Sequence, residues 1–533
     1  LLPKRRRRGR GRIRAEEDFT RKPGRMGRGL ILEVSPLCRK SAVTELVAFE
    51  ALDLIGKTPN LEPQRSSTGR QSSSAPASDD DIEDCEEGQS LHAIRPGVLL
   101  CDRFRVRGRL GTGAFATVWL CADEEQEEDN FGYVALKVYR AVDRYQLYAS
   151  EESGLLRDAA ELAESRPPSL VGLLGLFPHQ GPACQHACVA LELLGPSALE
   201  MAERSRSSRL PLPLLCCALR GGLRALDFLH RECSIIHTDV KPENILINIP
   251  PGSAMFDIMR KLPFGRAERL RLMEAALREG ASATFSLVDL GNSCTRDRHV
   301  SVDITTMEYK AVEVMLNAGY DTGADIWSLA CTVYELATGR YLFDPRRSFA
   351  RPQALPARPA LANGPEHVAQ IVELLGPLPS SLLGRSRRLG AFFRTTAGGL
   401  LESATWPFQS PDGSEVATSM STLPRCALIG RLAEHLPEEP SKLLAQVLSP
   451  MLQAEPKEHS TAQEALEKLQ QLESSLWAAT GEMPPQTEDK SCGVMPTAEK
   501  AKKKRLSAFL AYTLAVLNWK GFTPDMYQGK VSS

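Results

Sequence analysis

From Arg103 onward the hydrophobic positions fall into two textures. Phe104 to Leu110, Thr117 to Ala122 and Tyr133 to Tyr139 are short, apolar runs rich in β-branched residues, with a glycine turn between the first two. Each predicts a strand. From about Pro211 to Leu472 the apolar residues recur at helical spacing, as in Leu214 and Leu215 through Leu223, Leu226 and Leu229. A small strand-rich lobe (residues 96–194) followed by a larger helical lobe (195–475) is an α+β architecture.

The flanks carry neither period. Residues 1–95 run from an Arg/Gly block, Lys4 to Arg12, through a Ser-rich patch, Ser72 to Ser78, into an acidic block, Asp79 to Glu87. Such composition buries too little apolar surface to offset ordering entropy, which predicts disorder, with Leu30 to Ile55 a candidate transient helix. Residues 476–533 read as a low-structure tail around the basic cluster Lys502 to Arg505. Two stretches inside the helical lobe read as insertions. Ile249 to Thr284 holds a candidate surface helix, and Arg346 to Pro365, rich in Pro, Ala and Arg, predicts a mobile loop.

At 533 residues the chain suits two lobes with appended tails better than one core. The net charge of −1 gives the whole molecule no bias toward nucleic acid or membrane; the charges are segregated into runs instead. The basic runs read as solvated segments, or as nuclear-import or RNA-contacting elements. The acidic block reads as a solubilising run or a site for an arginine-rich segment. Thirteen scattered cysteines show no facing CxxC pairs, which points to a reducing cytosol or nucleus rather than to zinc or disulfides. Leu506 to Trp519 is too short to span a bilayer, so no membrane association is expected. The sequence opens at Leu1 rather than methionine and reads as a piece of a longer chain.

Candidate chemistry begins at Gly111-Thr-Gly-Ala-Phe-Ala-Thr-Val118, between the first two predicted strands. Glycines let backbone N–H groups approach phosphate oxygens, although a bare glycine hairpin is the commoner meaning of such a turn. Val134-Ala-Leu-Lys137-Val follows, with Ala135 and Lys137 on one face of the strand. After a phosphate loop, that lysine reads as a cation for phosphate oxygens rather than a side chain snorkelling to water. Its carboxylate partner is expected on the next helix, where Glu152 shares a face with Leu155, Leu156 and Ala159; Glu151 is the rival. His237-Thr-Asp239-Val-Lys241-Pro-Glu-Asn244 supplies an aspartate for a hydroxyl proton, a lysine for a phosphate and an asparagine for a metal ion. Asp289-Leu-Gly291 adds a second metal ligand. Any one of these motifs could be ordinary surface polarity; all of them in this order could not.

Over about Arg103 to Leu472 the chain resembles the protein kinases, and within them most closely the SR-protein kinases. The stretches that carry this are Ile236-His-Thr-Asp-Val-Lys-Pro-Glu-Asn244, Asp289-Leu-Gly-Asn-Ser-Cys294, Gly319-Tyr-Asp-Thr-Gly-Ala-Asp-Ile-Trp-Ser328 and Glu335-Leu-Ala-Thr-Gly-Arg-Tyr-Leu-Phe343. The resemblance implies the two-lobed kinase fold and transfer of the ATP γ-phosphate to serine or threonine of proteins. It implies Asp239, Lys241, Lys137, Glu152 and Thr306 as catalytic residues, and Asn244 and Asp289 as ligands of Mg²⁺. Nucleotide contacts would come from Leu110, Gly111, Thr112, Gly113, Ala114, Val118, Ala135, Lys137 and the Leu191, Glu192, Leu194 stretch. Asp325 would hold the backbone of the catalytic loop, and Tyr309 and Glu313 fall in the segment that seats the substrate. The partners implied are protein substrates, Arg-Ser-rich splicing factors among them, met by a monomer in cytoplasm and nucleus.

Four positions depart from the general kinase pattern. Ala116 replaces the third loop glycine. Thr238 replaces the arginine that grips a phosphorylated activation loop, a contact threonine cannot make. The SR-protein kinases share that threonine, so activity without loop phosphorylation is expected, although Thr295, Ser301, Thr305 and Thr306 remain available for modification. His459 stands where Glu313 is expected to find a buried arginine, leaving that carboxylate a weaker partner. Arg340, followed by Arg346, Arg347 and Arg351, stands where the SR-protein kinases place acidic docking residues, with Asp344 the nearby acid. Like charges there would repel an Arg-Ser peptide by roughly a kcal/mol or more per close pair. An inactive kinase-fold scaffold is the competing reading, and retention of Lys137, Asp239, Asn244 and Asp289 argues against it.

Overall fold

The computed structural model describes residues 94–480 apart from 126–131, 164–166, 168, 182–183, 251, 262–263, 345–363, 396–400, 404–407, 410–414 and 417–426. The Arg/Gly, Ser-rich and acidic runs, the Leu30–Ile55 stretch, the Lys502–Arg505 cluster and Leu506–Trp519 lie outside the described residues. So does most of the Arg346–Pro365 segment, whose last two residues, Gly364 and Pro365, instead open the helix Gly364–Leu375.

The strand-rich half is an antiparallel sheet of β1 (Leu99–Leu100), β2 (Phe104–Thr112), β3 (Ala116–Asp123), β4 (Tyr133–Tyr139), β5 (Leu173–Gln180) and β6 (Gln185–Glu192), in the order β1-β2-β3-β4-β6-β5. The three strands expected from sequence are β2, β3 and β4. Period-two alternation divides β4: Val134, Leu136 and Val138 join Cys188 and Ala190 in an apolar cluster on one face, leaving Ala135 and Lys137 on the other. Irregular register between Val106 and Gly108 and between Arg109 and Gly111 adds local twist where β2 enters the glycine loop.

Helix α1 (Asp143–Leu162) buries Tyr145, Ala149, Glu152, Ser153, Leu156 and Ala159, a stripe at helical spacing with one carboxylate inside it. After β7 (Leu194–Ser197) and α2 (Ala198–Arg204), the C-terminal half is built on α3 (Leu212–Asp227) and the almost wholly buried α6 (Gly323–Thr338), which holds Trp327. A Cβ on Gly221 of α3 would lie 2.6 Å from the Phe285 carbonyl oxygen, so the close approach of α3 to β8 (Phe285–Leu287) requires glycine there. The closing helix Ala462–Thr480 packs on α3, where Arg220 and Glu473 form a buried ion pair.

The segment Ile249–Thr284 corrects the expectation of one surface helix. It folds into α4 (Ala254–Met259) and α5 (Arg266–Ala276), which bury Met255, Met259, Leu272, Ala275 and Ala276. Arg269 of α5 donates to the carbonyls of Arg109 and Leu110, immediately before the glycine loop, and Phe256 meets Tyr133 edge-to-face. A Cβ on Gly108 would stand 2.7 Å from the Phe264 carbonyl oxygen. The residues these helices meet, Arg109, Leu110 and Tyr133, lie more than a hundred positions earlier in the chain, so only the tertiary fold reveals the packed face.

Candidate active site

The ladder register collects the first group of predicted residues. Gly111 pairs with Val118, Val118 with Lys137, and Ala135 with Leu191, which sits one residue before Glu192 at the end of β6. Leu194 opens β7 directly after. Gly113 N–H donates to the Ala116 carbonyl at 2.9 Å, closing the turn that carries Thr112 and Ala114. Ala116 keeps that turn and buries its methyl in the core, so the missing third glycine is accommodated. A Cβ on Gly111 would meet nothing within 4 Å, so the loop backbone faces open space.

Lys137 Nζ donates to Glu152 Oε1 at 2.9 Å and to Asp289 Oδ1 at 2.8 Å. The Tyr139 hydroxyl donates to Glu152 Oε2 at 2.7 Å. Glu152, fully buried, is therefore the carboxylate that meets Lys137. The rival Glu151 is half-buried; burial pushes its carboxyl up, and the Arg298 guanidinium pulls it back. Burial alone would lower the Lys137 ammonium, but the Glu152 and Asp289 charges hold it well above its ordinary value. Burial acts to raise Asp289, yet Lys137, His237 and the Gly291 N–H together bring it to about 2.

The second group surrounds Asp239. Its Oδ1 accepts from Thr306 Oγ1 at 2.9 Å, its Oδ2 from Lys241 Nζ at 2.7 Å, and its carbonyl from Asn244 Nδ2 at 2.9 Å. Both carboxylate oxygens are held by donors, which fixes the rotamer. Asp239 N–H donates to His237 Nδ1, so the proton on His237 sits on Nε2, facing the Val288 carbonyl at 2.9 Å. Asp325, 1% exposed, accepts from the backbone N–H groups of His237 and Thr238 at 2.8 Å each and bonds His230 Nε2 at 2.8 Å. One buried carboxylate thus holds the loop in the left-handed conformation of Thr238, whose φ is 69°.

Thr238 is engaged with the segment after Asp289. Its hydroxyl donates to the Asn292 carbonyl, and Thr305 Oγ1 donates back to the Thr238 carbonyl at 2.9 Å. Lys310 Nζ meets Asp303 Oδ1 at 2.6 Å, and Arg296 clasps Asp321 with two bonds.

Sequence reasoning missed a group of carboxylates beside this loop. Glu335 on α6 accepts from the Tyr309 hydroxyl at 2.6 Å. Burial pushes its carboxyl up to about 7, with the charges of Glu243, Glu308 and Glu203 adding to the effect and Tyr309 opposing it. Glu243 lies four residues after Asp239, and Glu308 two after Thr306. The available signal was Glu335 itself, a lone acid in the apolar run Val333-Tyr-Glu-Leu-Ala337. Arg340, by contrast, is exposed; Arg346, Arg347 and Arg351 lie outside the described residues.

The expected Glu313–His459 pair does not form a hydrogen bond. The His459 nitrogens face the carbonyls of Gly323 and Gln453, at 3.0 and 2.6 Å, and neither Glu313 oxygen has a partner among the described residues. Histidine is too short and too rigid to fork onto both. Burial raises the Glu313 carboxyl, with His459 and then Arg385 opposing through space. A raised folded-state value means that Glu313 favours folding below the ordinary carboxylate range, and this contribution is lost as pH rises through the folded value. Glu313→Gln should therefore show a thermal midpoint that gains on the unaltered protein from pH 5 to pH 8; a gain that shrinks over that interval refutes the assignment.

Comparison with known proteins agrees with this geometry. Residues 104–469 match the protein kinase domain family. The serine/threonine-protein kinase SRPK of Physarum polycephalum is 30% identical over 415 residues, covering 73% of this chain and 90% of that protein. SRSF protein kinase 3 of Mus musculus is 26% identical over 63% of this chain and 83% of its own length. Serine/threonine-protein kinase AFC3 of Arabidopsis thaliana is 28% identical over 74% and 86%. The chain is a protein kinase of the SR-protein-kinase type. Kinases of this family use ATP and Mg²⁺ generally, and the donor set of this kinase fits them. Open glycine backbone faces the space beside Lys137, and Asp289 and Asn244 offer the hard oxygens that Mg²⁺ takes in small number when phosphates supply the rest. No helix among the described residues is long and apolar enough to cross a membrane.

Proposed function

We propose that this kinase transfers the γ-phosphoryl group of ATP to serine or threonine of basic, arginine-containing proteins, Arg-Ser-rich ones among them. The observation that carries the transfer is the continuous polar chain from Glu152 through Lys137 to Asp289, standing with Asp239 held at both oxygens. Bound Mg·ATP supplies the phosphoryl group and the charge neutralisation that phosphoryl transfer needs. Lys137, positioned by Glu152, binds phosphate oxygens, and the loop from Leu110 to Val118 covers them with backbone N–H groups. Ala135, Leu191, Glu192 and Leu194 line the adenine end. Asp289 and the Asn244 amide oxygen hold the metal, Asp239 takes the proton of the acceptor hydroxyl, and Lys241 steadies the transferring charge. Thr306 keeps Asp239 aimed.

The substrate reading rests on Glu335 and the three carboxylates that act on it, Glu243, Glu308 and Glu203. A carboxyl that burial pushes up to about 7, with three neighbouring carboxylates adding to the effect, is relieved by an incoming cation, and a guanidinium forks onto such oxygens. The exposed Arg340 opposes this at longer range, and its repulsion is screened within about 10 Å at 0.1 M salt. Peptide phosphorylation with Mg·ATP should favour an Arg-Ser peptide over an acidic one. Its KM should fall as pH rises through about 7, where Glu335 ionises. Glu335→Gln should raise that KM about tenfold, the weight of a charge-assisted hydrogen bond, at nearly constant kcat. Preference for the acidic peptide overturns the substrate reading, and no transfer to either overturns the kinase roles.

A further inference from the structure

We propose that Tyr139 is a positioning residue for phosphoryl transfer, its hydroxyl fixing the Glu152 carboxylate so that Lys137 is presented to the nucleotide phosphates. The inference rests on the function proposed above. Tyr139 closes β4, two residues after Lys137 and on the same face of the strand. That face turns away from Val134, Leu136 and Val138 and toward the apolar cluster that holds Ala149 and Leu156 of α1. Tyr139 is 1% exposed, and an aliphatic side chain would meet the packing demand of such a position. A phenol instead carries a polar oxygen into the interior, which is costly unless an acceptor waits for it.

The acceptor is Glu152. The Tyr139 hydroxyl donates to its Oε2 at 2.7 Å, while Lys137 Nζ donates to Oε1 and Oε2 at 2.9 and 3.1 Å. Glu152 reaches this point from α1 as a wholly buried carboxylate. One ammonium facing both oxygens leaves the plane of the carboxylate free to rock; a second donor on Oε2 stops it. The Tyr139 ring also faces the ammonium, its centroid 5.2 Å from Lys137 Nζ, within cation–π range. A Cβ on Gly291 would stand 3.7 Å from the same hydroxyl, so this oxygen lies where β4, α1 and the turn after Asp289 meet.

The tyrosine is itself held on both sides. Along one edge it pairs with Ala116, at the end of the glycine loop. Along the other, the β4–β6 ladder stops at Val138 and Cys188, and the buried His186 ring donates from Nδ1 to the Tyr139 carbonyl at 2.9 Å. Lys137 has three N–H donors to divide among Glu152, Asp289 and phosphate oxygens. A carboxylate already satisfied at Oε2 by a phenol draws less on that lysine. Without the hydroxyl, Oε2 turns to Lys137 alone, and Nζ is drawn back from the phosphates.

Tyr139→Phe in the full-length chain removes one oxygen and keeps the ring. Titration calorimetry should show Mg·ATP binding about three- to tenfold more weakly, the range of a net hydrogen bond. The KM for Mg·ATP should rise in parallel, while the KM for an Arg-Ser peptide stays unchanged. In a Glu152→Ala background the acceptor is gone, and adding Tyr139→Phe should alter Mg·ATP affinity by less than about twofold. A lower thermal midpoint with nucleotide affinity unchanged, peptide still being phosphorylated, makes Tyr139 a packing residue and overturns this inference alone. Equal losses of affinity with and without Glu152 overturn it as well. Unaltered protein that binds no Mg·ATP overturns the proposed function and the inference with it.

Discussion

Asp239→Asn is expected to lower turnover by roughly 10²–10⁴-fold, the range for loss of a proton-accepting group, with nucleotide affinity nearly unchanged. The substitution keeps the volume of the side chain but not its chemistry. Both Asp239 oxygens accept from donors, Thr306 Oγ1 on one side and Lys241 Nζ on the other. An amide turns its NH₂ toward one of those donors, so it loses the fixed rotamer as well as the basic oxygen. Asp289→Ala provides the contrast. Its carboxyl, held at about 2, bonds Lys137, so its removal strips the proposed metal ligand and takes from the lysine one of its two carboxylate partners. Weakened Mg·ATP binding is the expected result there. Steady-state peptide phosphorylation and nucleotide calorimetry on both variants separate the two roles. Small and equal effects from both would remove the basis for them.

Glu473→Ala is expected to destabilise the C-terminal half by roughly 3–5 kcal/mol, because it leaves the buried Arg220 guanidinium without a counter-charge. Arg220 and Glu473 side chains are 9% and 7% exposed, and the pair joins α3 to the closing helix Ala462–Thr480. The guanidinium cannot shed its proton, and the Cys217 Sγ beside it is only a weak acceptor. A fall in thermal midpoint of roughly 5–15 °C should follow. Replacing both residues by leucine should recover most of it, since a packed apolar pair costs less than a lone buried charge. If the single variant melts within 2 °C of the unaltered protein, or the double variant is the worse of the two, the pair is not what holds the helix.

The chemistry proposed for the cleft was legible because it is local. Lys137 and Ala135 share a face by strand periodicity, Glu152 sits in the buried stripe of α1, and Asp239, Lys241 and Asn244 lie within six residues of one another. Spacing along one element carries such information without knowledge of the partner. The choice of Glu152 over Glu151 came out the same way, because a helical stripe admits one of two adjacent residues and turns the other outward.

Partnerships between distant segments were not legible. The carboxylates around Glu335 come from α2, the catalytic loop, the segment before Lys310 and α6, and no window of sequence contains them together. The packed face of the Ile249–Thr284 helices depends on segments far away in the chain, and only the fold brings Arg269 to the carbonyls before the glycine loop. The Glu313 position was expected to rest on His459, but hydrogen bonding depends on reach and direction, and the shorter ring found carbonyls of Gly323 and Gln453 instead. The sequence by itself determined three strands of the sheet, the helical second half and the kinase family, because periodicity and short motifs are properties of neighbouring residues. Tertiary structure alone decided which charges meet, because burial and Coulomb energy depend on distance through space, which chain separation does not encode.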